Sequence, residues 1–215
     1  MSRERLKADE RQQQIVRAAV NLVGEQDVEN ITTLDMAQAV GVTQGAIFRH
    51  FPTKESIWIA VLSWAGSRLL SVTDAAAAGG SHPLEMLERM FYAHVGFVAE
   101  HPAIPRLLFR QLQQARGSKL TPLVREMMST YRARLVELFE DSKRMGLVRS
   151  DVDAQDAATL FIGTVQGLVM QTSIYGGGHA AGNMVQQARR VFPIFLEGIR
   201  DRKASHRNRS QRKRS

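Results

Sequence analysis

A chain of 215 residues with 44% hydrophobic and 23% charged side chains has the make-up of an ordinary globular protein large enough to bury a core. It has no cysteine, which excludes disulfides, thiolate metal sites and cysteine nucleophiles. The net charge of +8 belongs to the end of the chain: residues 200–215 carry eight Lys/Arg against Asp201, leaving 21 basic and 20 acidic side chains in residues 1–199. The high charge is therefore no argument about the folded body. Any nucleic-acid function has to be argued from a motif.

Residues 1–10 are highly charged and lack the apolar core of a secretion signal, so a cytoplasmic location is expected. Ile15, Ala18, Ala19, Leu22 and Val23 follow helical spacing, and Gly24 is expected to end that helix. A second, short helix follows Thr32 or Thr33, with Asp35 completing a weak capping box. Gly41 then provides a left-handed turn, and Thr43 caps a third helix over residues 43–51. Thr53 is a good N-cap for a long helix through Ile57, Trp58, Val61, Leu62 and Ala65 to about residue 73. Residues 75–81 (AAAAGGS) are expected to be a linker.

Ser81 and Pro83 open a helix with Leu84, Leu87, Phe91, His94, Val95 and Val98 on one face, and Pro102 and Pro105 end it. A short helix over about 104–114, one from Thr121 and Pro122 to near Gly146, one from an Asp153 cap to about 175, and a last one over about 183–200 complete the chain. Pro193 interrupts the hydrogen bonding of the last helix. The longest uncharged run, 157–188, contains Gln166, Gln171 and a glycine cluster, which suits a core helix and a loop better than a membrane span. No strand pattern is present. The predicted fold is all-α, with about nine helices.

Between Ile31 and Glu55 the chain reads ITTLDMAQAVGVTQGAIFRHFPTKE. Met36, Ala37 and Val40 form the inner face of the second helix, Val42 plugs the turn, and Ile47 and Phe51 point inward from the third. Gln44, Gly45, Ala46, Phe48, Arg49 and His50 are left on the outside. That surface suits a DNA major groove. A glutamine pairs bidentately with adenine, Gly45 and Ala46 let the backbone approach base edges, and Arg49 reaches guanine or phosphate. Thr33, His50 and Lys54 are placed for phosphate contacts.

With its register complete, this segment resembles the tetracycline-repressor (TetR) family in Thr32-Thr33, Ala37, Gly41-Val42, Ile47-Phe48-Arg49-His50-Phe51 and Thr53-Lys54-Glu55, and the likeness covers roughly residues 11–65. The resemblance implies base contacts from Gln44, Gly45 and Arg49, and backbone contacts from Thr33, Phe48, His50 and Lys54. Thr43 and Ala46 complete the candidate DNA surface. Two departures stand out: Phe48 occupies a site usually held by a phosphate-bonding tyrosine, and Leu34 replaces a base-reading arginine of some members.

The resemblance also implies a helix-turn-helix domain over 1–52 and a helical ligand-binding and dimerisation domain over 53–202, while the composition of residues 203–215, basic and almost free of apolar side chains, points to a disordered tail. The last two long helices are expected to pair two copies, since Gly163 and Gly167 lie one turn apart and Val191, Phe192 and Phe195 form an apolar stripe. The palindromic operator of such a dimer needs two recognition helices about 34 Å apart. Met90, Phe91, His94, Gln166 and Met170 are candidate contacts for an unidentified small-molecule effector, a mixture that could line a mostly apolar cavity.

The expected partners are double-stranded operator DNA, a small effector and a second copy, with no membrane. A ligand-independent DNA-associated protein that recruits a protein partner is the alternative. No cofactor, metal site or catalysis is expected: the chain lacks phosphate-loop, dinucleotide, zinc-protease and nucleophile-elbow motifs, and its six histidines show no ligand spacing.

Overall fold

The computed structural model describes residues 3–113, 120–175 and 180–201. The basic tail, the end of the short helix at Gln114 and the glycine run at 176–179 lie outside the described residues. Among the described residues there are nine helices: α1 (Arg3–Glu25), α2 (Thr33–Val40), α3 (Gln44–His50), α4 (Lys54–Ala77), α5 (Pro83–Glu100), α6 (Ala103–Gln113), α7 (Leu120–Arg144), α8 (Ala154–Tyr175) and α9 (Ala180–Ile199). The chain divides into two compact units, residues 1–68 with 101–127, and residues 69–100 with 128–215. The division falls within α4, at the end of α5 and within α7. The first half of α4, all of α6 and the start of α7 belong with α1–α3, and α4 continues without a break from one unit into the other.

Most helix ends follow the expected local chemistry. Thr32 is the N-cap of α2, and its side chain and backbone bond reciprocally with Asp35, so the capping box is complete. The two hydrogen bonds from Thr32 hold the Asp35 carboxyl below its ordinary pKa. Thr53 caps α4 by accepting from Ser56 N at 3.1 Å, and Asp153 caps α8 by accepting from Gln155 N and Asp156 N. Three expectations are corrected. Gly24 does not end α1, which runs on to Glu25. The helix α4 continues through most of the alanine run to Ala77, because alanine is the strongest helix former and the real break is Gly79-Gly80. At α5, the residue before Pro83 is His82, whose Nδ1 accepts from Glu85 N, while Ser81 bonds the Glu85 carboxylate from outside the helix.

In the first unit the core is built from Ile15, Ala19 and Val23 of α1, Ile31, Met36 and Ala37 around α2, Ile47 and Phe51 around α3, Ile57, Val61 and Leu62 of α4, and Leu107 of α6. A Cβ at Gly66 on α4 would press into the side chain of Met127 of α7, which would have to turn aside. Arg110 of α6 pairs with Glu29 at 2.8 Å.

In the second unit α5, α8 and α9 pack together around an aromatic cluster. The Phe91 and Phe192 rings lie 4.6 Å apart, and Phe161 meets Phe91 and Phe195 edge to face. Tyr131, Leu135 and Phe139 of α7 close that core. The turn after α7 is tied to the end of α9 by a short antiparallel bridge, in which Arg149 N donates to Ile199 O and Asp201 N donates to Leu147 O.

Candidate nucleic-acid interface

The helix-turn-helix is positioned by three local devices. The capping box starts α2. Gly41 then adopts φ 71°, ψ 38°, the left-handed conformation that glycine alone takes without a side-chain penalty, and its N–H and that of Val42 satisfy carbonyls at the end of α2. Thr43 next caps α3 through its hydroxyl, which accepts from Ala46 N at 3.2 Å. The side chain of Thr43 is thus engaged with the helix end. Ile47 is completely buried and anchors α3 on α2, so the turn offers the opposite face of α3 to solvent.

On that face Gln44, Gly45, Phe48 and Arg49 are exposed, while Ala46 and His50 are half-buried. A Cβ at Gly45 would meet only Thr43 Oγ1, at 4.0 Å, and a small surface there permits close approach of a duplex. Lys54, at the start of α4, is half-exposed, and its charge helps to hold Asp35 ionised. The predicted outer residues therefore converge on one short helix and its flanks. Thr33 is the exception. It is buried, with 9% of its surface exposed, and its hydroxyl accepts from Gln44 Nε2 at 2.7 Å.

One contact was not legible in the sequence. Gln12 of α1 reaches the carbonyl of His50 at 3.4 Å and steadies the end of α3 across 38 residues. Leu34 is exposed at the start of α2, as its place at a base-reading position of the resembled family implies, and an apolar side chain there has no core to join. The Gln12 contact has no local pattern that would have revealed it.

The effector candidates separate. Met90, Phe91 and His94 are buried in the second unit. His94 Nδ1 lies 3.1 Å from Tyr131 Oη, and burial pushes the imidazole pKa down to about 4 and the Tyr131 phenol up. Gln166 and Met170 do not join them: Gln166 is exposed and Met170 is 49% exposed, because the inner face of α8 is carried by Phe161, Ile162, Val165 and Leu168. Among the described residues no group of acidic and histidine side chains is arranged to hold a metal.

The apolar stripe on α9 also divides. Phe192 is 1% exposed and Phe195 is buried, both within their own aromatic cluster, so neither side chain is free for a second copy. The outward residues are Ile194, which is 72% exposed, and the half-buried Val191. On α8, Gly163 and Gly167 are exposed with nothing nearby, and Leu160 and Ile174 extend the same stripe at helical spacing.

Comparison with known proteins agrees with this geometry. Residues 15–61 match the model described as bacterial regulatory proteins, tetR family, and residues 83–194 match the C-terminal domain of BetI-type transcriptional repressors. The chain is similar to the nucleoid occlusion factor SlmA of Haemophilus ducreyi, 26% identical over 62% of this chain and 67% of the relative. To the SlmA of Marinomonas sp. it is 20% identical over 76% of this chain and 83% of the relative. Its match to the SlmA of Actinobacillus pleuropneumoniae, 28% identical over 46% of this chain, spans half the length of that relative.

Among solved structures, the ketosteroid regulator KstR2 of Mycobacterium tuberculosis superposes with a TM-score of 0.71 at 21% identity, covering 89% of this chain and 95% of that one. A TetR-family regulator of Agrobacterium tumefaciens superposes with a TM-score of 0.74 at 21% identity, covering 90% and 100%. At such identities the superpositions speak for the fold, and the family models speak for ancestry. The chain belongs to the TetR family of DNA-binding transcriptional regulators.

Proposed function

We propose that this protein is a homodimeric, ligand-responsive repressor of the cytoplasm that binds a palindromic operator through α3. The observation that carries the reading is the outward face of α3, where Gln44, Gly45 and Arg49 stand on a helix held by a buried Ile47 and a left-handed glycine turn. Gln44 and Arg49 read base edges; Phe48, His50 and Lys54 meet the backbone, with Phe48 giving apolar contact in place of a hydroxyl.

Dimerisation uses the uncovered face of α8 and α9. Leu160, Gly163, Gly167, Ile174, Val191 and Ile194 are the residues that support it, because glycines one turn apart admit a partner helix closely and exposed branched side chains gain by burial. The effector binds in the second unit. It releases DNA only as far as its affinity differs between two states of the dimer. The uninterrupted α4, which belongs to both units, carries that difference to the DNA-binding helices.

Selection of bound duplexes from a random pool tests the reading. A two-fold symmetric site with half-sites about one helical turn apart is expected, and an asymmetric or featureless outcome would defeat it. On the selected site, Gln44→Ala should flatten the preference at particular base pairs, whereas Lys54→Ala should weaken binding to operator and scrambled duplex alike.

A second reading is favoured by the name shared by the curated relatives, nucleoid occlusion factor. Under it the chain binds many chromosomal sites without an effector and recruits a protein partner. Chromatin-binding profiles separate the two: a few sites beside regulated genes support the repressor, and many dispersed sites support the recruiter.

A further inference from the structure

Among the described residues, Gln44 is tied to α2 by a side-chain hydrogen bond that no other residue of α3 makes. A glutamine side chain has several rotatable bonds, and ordering it on DNA carries an entropic cost. To read adenine it must present an acceptor and a donor together, Oε1 toward N6–H and an N–H toward N7. A primary amide has two N–H groups. In this structure one of them is occupied by Thr33 Oγ1 at 2.7 Å, which leaves Oε1 and the second N–H for a base.

The clamp is itself rigid. Thr33 is the first residue of α2, and its neighbour Thr32 is locked by both halves of the capping box. Its branched Cβ restricts χ1, and only 9% of its surface meets solvent. A hydroxyl so placed is poorly offered to a phosphate and well placed to orient an amide.

We infer that Thr33 is a specificity-determining positioning residue, which acts by holding the Gln44 amide in the orientation that reads a base. This rests on the proposal that α3 occupies the major groove. It moves Thr33 from the sequence-independent part of the interface to the sequence-reading part, although its side chain touches no base.

The test uses the full-length chain and the operator selected by the wild type. Thr33→Val, Thr33→Ser, Gln44→Ala and the Thr33→Val/Gln44→Ala double variant are titrated against that operator, each single-base substitution of it, and a scrambled duplex. Thr33→Val should lower discrimination about three- to tenfold, the scale of one immobilised flexible side chain, at the same base pairs that Gln44→Ala affects. Binding to the scrambled duplex should not change, Thr33→Ser should restore discrimination, and the double variant should discriminate no worse than Gln44→Ala alone.

Thermal unfolding checks that Thr33→Val folds, and Thr33→Ala gives the same comparison if it does not. A uniform loss on all duplexes with discrimination intact would overturn the inference and return Thr33 to the phosphate backbone. So would losses that multiply in the double variant. If Gln44→Ala itself changed no base preference, the groove assignment of α3 would fall, and the clamp with it.

Discussion

The buried imidazole of His94 makes a quantitative claim about acid stability. It is 9% exposed, its Nδ1 is paired with Tyr131 Oη, and its pKa is pushed from 6.5 down to about 4 because desolvation disfavours the charged ring. The unfolded chain therefore takes up the proton at a higher pH than the folded one. Stability from the neutral folded state is complete above pH 6.5 and is lost as pH falls from there through 4.

At about 1.4 kcal/mol per pH unit the full span is worth about 3 kcal/mol, of which about 2 kcal/mol falls between pH 7.5 and pH 5. The Asp74 charge, which bears on Tyr131, is common to wild type and variant. His94→Gln keeps an amide for Tyr131 and removes the titration. Urea unfolding of both proteins at pH 7.5 and pH 5 should show the wild type losing about 2 kcal/mol more than the variant over that interval. Equal losses would refute the argument, and would mean that His94 is solvated in the folded protein.

Three further outcomes follow from particular contacts. Gln44→Ala should reduce discrimination at the base pair it reads by about 1–3 kcal/mol, measured as the ratio of operator to single-substituted operator affinity. Gly66→Ala gains about 1 kcal/mol of helix propensity but makes the flexible, half-buried Met127 side chain turn aside, so a stability within about 1 kcal/mol of wild type is expected, and Met127→Ala in the same chain should turn the change into a stabilisation. Ile194→Lys places a charge where a second copy would cover an apolar side chain, so sedimentation should show a dimer converted to monomer with the fold of each unit unchanged. An unaltered dimer would move the interface elsewhere.

The order and approximate length of the helices, and the display of α3, were legible because each rests on chemistry a few residues long. Thr32 and Asp35 find one another across a single helical turn, Gly41 supplies the positive φ, and Thr43 closes the next helix end. Local rules also misled where a stronger local preference competed. Gly24 lies one residue inside the end of α1, where Gln26 N still donates to Leu22 O across it, and the alanines that looked like a linker extended α4.

Tertiary packing decided what short-range pattern left open. Helix α8 and the second half of α9 are apolar on more than one face, so spacing alone could not say which stripe turns inward. The aromatic cluster of Phe91, Phe139 and Phe161 settles it by drawing in Phe192 and Phe195, which leaves Ile194, Gly163 and Gly167 outside and carries Gln166 and Met170 away from His94. The Thr33–Gln44 hydrogen bond is of the same kind, since it joins residues 11 apart that meet only after α2 and α3 have packed. A sequence specifies its caps and turns through neighbours along the chain, but a helix with two apolar faces acquires an inside only from what it packs against.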